Sequence, residues 1–431
     1  MAKPKDAPGL NVRLKAAERL GKVLKGASFS PLAPSEVADA RDRALGNRLI
    51  TTALRHHGHL NLVLRHLLER GMPKKSGSFE AVLRLSLAQL LYLPDLGDHS
   101  ALFLAGEAAK RDKSTQHLSK LMNALLRRAQ AEAVQLREAP PDLLFPPALT
   151  KSWSTAYGAE AMPAFAAALV EGAPLDVTLK GDYPTLIELL GGRTLMADTV
   201  RIDSRDKAVD QLPGYAEGRF WMQDAAAAIP ARLIGLPVGA RVLDVGAAPG
   251  GKTAQLCKAG YRVTALDRDA SRVERLVSNL LRLGYASDIV TADFLQYTPT
   301  ELFDGVSLDA PCSATGTFRR HPEVVWHRDA ADIAGRVTLQ RQLIERAVNC
   351  LNPGGVLVYG VCSLEPEEGE NQARWALGQG LEVLPITAAE LDGWADPVTK
   401  EGFVRTHPGL TVPGEKGGTL DGFFVARFRR R

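Results

Sequence analysis

The sequence predicts a multi-domain chain. An all-α helical domain is expected over residues 1–138, a small α+β module over 139–222, and a C-terminal α/β domain with a doubly wound sheet over 223–431. Three observations carry this reading. Apolar residues recur at helical spacing, with no convincing strand, from Leu10 to about Glu138. Four prolines (Pro140, Pro141, Pro146 and Pro147) then fall within eight positions, which no helix continues through. From Trp221 onward short apolar β-runs alternate with helical stretches, the pattern of a sheet with helices on both faces. A length of 431 residues also exceeds one ordinary core.

In the first region Val12, Leu14, Ala17, Leu20 and Val23 mark one helix, and Ala44, Leu45, Leu49, Ile50 and Leu54 a second. Further helices are expected over 60–68, 79–92, 101–109 and 118–128, separated by short Gly, Pro or Asp turns. Arg41, Arg43, Arg48, Arg84, Arg111, Lys113, Arg127 and Arg128 lie beside these stripes. Residues 1–150 carry +9, which leaves −5 for the rest of a chain whose total is +4. A basic helical third suits docking on phosphate backbones, against the plainer alternative of a solvated charged face. The middle module reads as a helix over 150–170 followed by strand-like pieces at 175–179 and 194–202. Its residues reveal no function.

The chain is 45% hydrophobic and 24% charged, ordinary for a folded soluble protein. No apolar run approaches membrane-spanning length, and residues 1–6 are not followed by an apolar signal core, so a cytoplasmic protein is expected. The four cysteines, Cys257, Cys312, Cys350 and Cys362, form no C-x-x-C pair; neither a disulfide framework nor a metal site is expected.

In the last region strands are expected at 242–245, 263–266, 289–290, 306–308 and 356–361, with helices over 271–283 and 333–351. Residues 421–428 read as a final edge strand. The first strand runs into Gly246, Ala247, Ala248, Pro249, Gly250, Gly251, Lys252 and Thr253, a Gly-rich loop opening a helix. This loop fits two patterns. Letter for letter it is the phosphate-cradling G-x-x-x-x-G-K-[ST], and with Asp244 it is also the D-x-G-x-x-P-G-G loop of S-adenosylmethionine (SAM) enzymes.

The other strand ends separate the two readings. Asp267 closes the second strand, 21 residues beyond Gly246, a spacing suited to an acid accepting from ribose hydroxyls. Asp293 follows the third strand, Asp309 the fourth and Cys362 the last long one. A triphosphate calls for a cationic pocket, yet Lys252 alone faces three carboxylates here, whereas SAM carries a sulfonium cation. Pro249 also lacks the N–H a phosphate nest would use. The balance favours SAM. Lys252 either orders the loop, approaches the reacting centre or lies on the surface.

Cys257 and Cys350 fall within helical patterns and read as small buried hydrophobes. Cys312 and Cys362 each follow a strand in a loop and precede a Ser, a place for a reactive thiol. Methylation of a pyrimidine carbon gives such thiols a purpose. C5 of cytosine is a weak nucleophile until a thiolate adds to C6, and transfer to N or O needs no covalent step. Asp309 is then placed to act near N3. The chemistry alone does not rank the two thiols, since DNA cytosine methyltransferases use a Pro-Cys nucleophile like Pro311-Cys312. Arg319, Arg320, His321 and Trp326 form a basic-aromatic segment suited to RNA backbone contact and base stacking, or else a structured loop. Arg427, Arg429, Arg430 and Arg431 read as a solvated or RNA-facing tail.

Through Asp244 and the loop to Thr253, Asp267, Asp293, Asp309-Ala-Pro-Cys312-Ser, Arg320-His-Pro-Glu323, Trp326 and Cys362-Ser363, the C-terminal half resembles the RNA (cytosine-5)-methyltransferases of the NOL1/NOP2/Sun family. Through Ala40-Arg-Asp-Arg-Ala-Leu45, the run over 83–93 and the run over 120–128, the first third resembles the NusB family, a helical RNA-binding fold. Together they resemble the bacterial enzymes that methylate small-subunit ribosomal RNA. The resemblance implies SAM as methyl donor, RNA as partner with no obligate protein partner, Cys362 as nucleophile and Cys312 as the thiol that assists product release. The family's Thr before the nucleophile is Val361 here, one hydroxyl fewer. Transfer RNA as substrate, a non-catalytic RNA adaptor and a P-loop NTPase are the competing readings.

Overall fold

The computed structural model describes residues 7–138, 140–202, 208–413 and 419–431. Residues 1–6, on which the leader reading falls, and Ala139 in the proline-rich boundary lie outside the described residues. The described chain divides into two compact units, 1–171 with 321–327, and 172–320 with 328–431. The helical part of the stretch expected as a middle module thus belongs to the first unit, and its sheet part to the second.

The first unit is helical. Helices α1 (Leu10–Val23), α2 (Ala40–Arg55), α3 (His57–Leu67), α4 (Phe79–Tyr92), α5 (Asp98–Arg111), α6 (Ser119–Ala131) and α7 (Ala133–Arg137) follow in order. Nearly every residue of α4 is buried, Arg84, Ser86 and Gln89 included, so it forms the centre. Helix α2 starts at Asp39, whose carboxylate accepts the Asp42 N–H at 2.9 Å. The single helix expected over 150–170 is two, α8 (Pro147–Tyr157) and α9 (Met162–Glu171), because Gly158 takes a left-handed φ of 85° between them. Among the described residues, no helix is long and apolar enough to cross a membrane.

The second unit begins with a four-stranded antiparallel sheet of β1 (Leu175–Leu179), β2 (Gly192–Met196), β3 (Thr199–Ile202) and β4 (Phe220–Met222), in the order β2-β3-β1-β4. The run expected as one strand at 194–202 is therefore a hairpin. A larger sheet follows, from β5 (Arg241–Val245), β6 (Arg262–Asp267), β7 (Asp288–Thr291), β8 (Phe303–Asp309), β9 (Leu351–Val361), β10 (Leu381–Val383), β11 (Val404–Thr406) and β12 (Phe423–Arg430). Its order is β10-β12-β9-β8-β5-β6-β7, with β11 paired to β12. Strands β5 to β9 are parallel, while β12 runs antiparallel to β9. The final strand is thus interior, flanked by β9 and β10, not an edge. Its arginines are tied down accordingly: Arg427 bonds Glu390 at 2.7 Å, and Arg430 donates to the Leu351 carbonyl.

Helices α10 (Pro184–Leu189), α11 (Ile229–Arg232), α12 (Gly251–Lys258), α13 (Ala270–Leu283), α14 (Ala330–Cys350) and α15 (Glu370–Ala376) complete this unit. The Asp269 carboxylate caps α13 by accepting the Ser271 and Arg272 N–H groups. Chain order reverses at β5, which has β8 on one side and β6 on the other. The crevice beyond the carboxyl ends of those strands is where such sheets bind ligands.

Candidate active site

A cavity of ≈ 270 Å³ opens at that crevice, and Gly246, Asp267, Asp293, Asp309, Cys312 and Cys362 all line it. The carboxyl ends of five strands, β5 to β9, therefore converge, as the spacing of these residues implies. Gly246 has φ 75°, and a Cβ there would lie 2.6 Å from the Asp309 carbonyl oxygen. The loop passes so close to β8 that only glycine fits. Gly246→Ala is accordingly expected to weaken SAM binding at least tenfold by titration calorimetry, with the fold retained by circular dichroism; unchanged affinity would show that this approach does not shape the pocket.

The loop's own N–H groups are largely committed. Those of Gly246 and Ala247 donate to the Leu266 carbonyl at 2.9 and 3.2 Å, and that of Gly250 to the Ala247 carbonyl at 2.8 Å. The Ala248 N–H donates to Asp267 Oδ2 at 3.1 Å, and Pro249 has none. A phosphate nest needs such groups turned outward, so the P-loop reading fails on geometry. Lys252 fails it too, because its Nζ donates to Asp309 Oδ2 at 2.8 Å instead of pointing over the loop. Burial by itself would lower the Lys252 pKa. The Asp309 carboxylate beside it, with Asp244 and Cys362 further off, reverses this and holds it above the ordinary lysine value.

Asp267 also accepts the Asp269 N–H at 3.1 Å and pairs with Arg272 at 3.2 Å, so it braces the loop as well as facing the cavity. A carboxylate has about four acceptor positions, which leaves one for a ligand hydroxyl. Asp293 is exposed at the rim, its Oδ1 accepting the Leu295 N–H. Carboxylates at three points of the lining fit a cationic, ribose-bearing donor and not a polyphosphate. Among the described residues, no cluster of three His, Cys, Asp or Glu could hold a metal ion.

Behind the loop, Asp244 is fully buried. It accepts the Thr253 hydroxyl at 2.7 Å, and burial pushes its pKa up to about 6. A raised carboxyl pKa adds stability below its unfolded value, near 4, that is lost as pH rises through about 6. Asp244→Asn should therefore raise the thermal midpoint at pH 8, raise it about half as much at pH 5, and change it little below pH 4. An equal shift at all three values would count against this titration.

The two thiols, 50 positions apart in sequence, meet with Sγ···Sγ 3.5 Å. Cys362 directly follows β9, whereas Cys312 lies three residues past β8 in an irregular loop and is 8% exposed. The hydrogen bond to Cys362, then burial, hold the Cys312 thiol well above the ordinary cysteine value. Val361 is fully buried within β9, paired with Phe424 of β12.

Other expectations change. Arg319 is 0% exposed, its guanidinium bonding Asp421 Oδ1 and Asp224 Oδ2, each at 2.9 Å; it is a buried ion-pair residue and not an RNA contact. Arg320 joins the same two acids at 3.1 and 2.6 Å. Trp326 packs against His57 within the first unit, ring centres 4.6 Å apart and tilted by 48°, and the Glu323 carboxylate accepts the Phe29 N–H at 2.9 Å, so this segment is a structured loop. Of the basic residues in the helical unit, Arg84 is buried against Glu80 and Asn61, and Arg48 makes a two-pronged pair with Asp95. Arg41, Lys113 and Arg127 stay exposed.

A further acid, one without a signal in the sequence, lies beneath the two thiol loops. Glu368, fully buried, accepts the Ser313 N–H at 2.9 Å, the Ser363 hydroxyl at 2.6 Å and the Gln340 amide at 3.0 Å, as well as the Ser313 hydroxyl. In sequence it is one acid among several in a Pro-Glu-Glu-Gly-Glu run, which reads as solvated.

Comparison with known proteins identifies the family. Residues 234–429 match the family described as 16S rRNA methyltransferase RsmB/F, and residues 11–131 match the NusB family. The ribosomal RNA small subunit methyltransferase B of Xanthomonas campestris is 34% identical over 454 residues, covering 99% of this chain and 98% of that protein. The crystal structure of PH0851 shares the fold with a TM-score of 0.74 at 21% identity, over 99% of this chain and 100% of that one. A methyltransferase homologue from Pyrococcus horikoshii has a TM-score of 0.54 at 26% identity, over 66% of this chain and 95% of that one. With such a relative along nearly its whole length, the chain belongs to the RsmB/F family of RNA methyltransferases and carries a NusB-family domain in its N-terminal third.

Proposed function

We propose that this enzyme transfers a methyl group from SAM to C5 of a cytosine in small-subunit ribosomal RNA, through a covalent bond between Cys362 and C6, and that it works in the cytoplasm. The observation that carries this reading is the pair of thiols in contact at the edge of an acid-rimmed cavity. SAM, held by the loop from Gly246 to Lys252 with Asp267 and Asp293, supplies an electrophilic methyl group on a sulfonium.

The chain's own residues do the rest. The target base is flipped out of its strand into the cavity. Cys362 Sγ bonds to C6, which makes C5 nucleophilic. Asp309 and the Lys252 ammonium bonded to it face the N3 edge; the proton they share passes to N3 as the thiol adds, neutralising the charge that the addition creates, and returns when the ring is restored. After methylation the C5 proton passes to water in the cavity; the electron pair of that C–H bond re-forms the C5=C6 double bond while the Cys362–C6 bond breaks and its pair returns to the sulfur. Cys312 keeps its proton and donates it as a hydrogen bond to the Cys362 sulfur, which stabilises that sulfur as it departs. The exposed cations of the helical unit contribute phosphate contacts.

The test is transfer of tritium from labelled SAM to purified small-subunit RNA, with bisulfite sequencing to locate the cytosine. Labelling of transfer RNA alone would move the substrate. No labelling, together with no SAM binding by calorimetry, would leave an RNA adaptor.

A further inference from the structure

The two cysteine loops differ in how they are held. Cys362 inherits its position from β9, which pairs with β8 on one side and β12 on the other. No strand holds Cys312. Its loop is fixed where Ser313 gives both its N–H and its hydroxyl to Glu368, and where the Ser313 carbonyl accepts from Arg328 Nε at 2.8 Å. Gln340 reinforces this from α14, its Nε2 donating to the Pro311 carbonyl at 3.1 Å and to Glu368 Oε1 at 3.0 Å. The same carboxylate accepts from Ser363, the residue after Cys362. Tyr359 of β9 anchors the backbone here, its hydroxyl donating to the Glu368 carbonyl at 2.6 Å. One fully buried acid thus joins the residues that follow the two thiols. A buried carboxylate with this many donors is a rigid fixture, because each bond is charge-assisted.

We propose that Glu368 is a positioning residue for product release: it holds the Cys312 thiol on the Cys362 sulfur, so that the covalent RNA adduct breaks down promptly. The proposal rests on the roles given above to Cys362 and Cys312. Because Cys362 has its own strand to hold it, loss of Glu368 should disturb Cys312 more and slow release more than bond formation.

The experiment compares Glu368→Gln with Cys312→Ala and the unaltered enzyme, using small-subunit RNA and SAM. The glutamine keeps the shape but presents an amide to donors that need an acceptor. The expected result is a kcat lower by about 10- to 100-fold, as for groups that orient a reacting residue. The KM for RNA should stay within about twofold, and a covalent adduct should be enriched on a denaturing gel, weaker than that of Cys312→Ala. Damage that is merely structural would lower the adduct along with the rate. An adduct from Cys312→Ala but none from Glu368→Gln would overturn the proposal. Absence of adduct from both would instead overturn the covalent reading on which it rests. If Glu368→Gln does not fold, Ser313→Ala removes one donor while the Ser313 N–H remains, and must show the same accumulation in smaller measure; no accumulation there overturns the proposal.

Discussion

Cys362→Ala is expected to lower methyl transfer by roughly 10⁴-fold or more, the scale seen when a covalent nucleophile is removed from an otherwise intact site. SAM affinity should be unchanged within about twofold, because the donor's loop, Asp267 and Asp293 do not depend on the thiol. Single-turnover transfer from labelled SAM, with calorimetry on the same preparation, separates the two quantities. Cys312→Ala should behave in the opposite sense, forming the adduct and failing to resolve it. If instead Cys362→Ala traps RNA and Cys312→Ala is merely inactive, the two roles are exchanged. Their contact at 3.5 Å is compatible with either order, and the pair of variants decides between them. Hydrogen bonding to Cys362 and burial favour the protonated form of Cys312.

The alternation of apolar runs and helices places β5, β6 and β8 to within three residues, because interior parallel strands are covered on both faces and must be largely apolar, whereas β9 begins five residues before its apolar run. Once those strands were placed, the residues at their ends had to share one edge, so the acids and both thiols could be named together. The Gly-rich loop could not be read alone. Its two patterns differ in whether the N–H groups face outward, and Asp267 and the Leu266 carbonyl answer that only in three dimensions. Glu368 and Arg319 were illegible for a related reason. A charged residue reads as solvated unless its partners are nearby in sequence, and here they lie 55 positions from Glu368 at Ser313, and 95 and 102 from Arg319 at Asp224 and Asp421. The three-residue strands β10 and β11 are too short for periodicity to register, which is why β12 read as an edge.

Arg319→Met should cost about 3–5 kcal/mol in stability, the usual penalty for removing one partner of a buried ion pair. Asp224 and Asp421 are both buried, and Arg319 and Arg320 balance them two against two. Without Arg319 one buried negative charge is uncompensated, since the partly exposed Arg320 cannot neutralise both acids. Urea unfolding followed by tryptophan fluorescence measures the loss, and Arg319→Met with Asp224→Asn should recover much of it. The pH dependence supplies the sharper check. Burial tends to raise the Asp224 pKa, and the two arginines more than reverse this, leaving it below the ordinary aspartate value. A depressed carboxyl pKa contributes stability above its unfolded value that is lost as pH falls through the folded one. In Arg319→Met the burial effect is released, the Asp224 carboxyl protonates at higher pH, and the buried charge is relieved. The cost of the substitution should therefore shrink between pH 7 and pH 5. A cost independent of pH would mean that Arg319 stabilises this unit by packing and not by its charge.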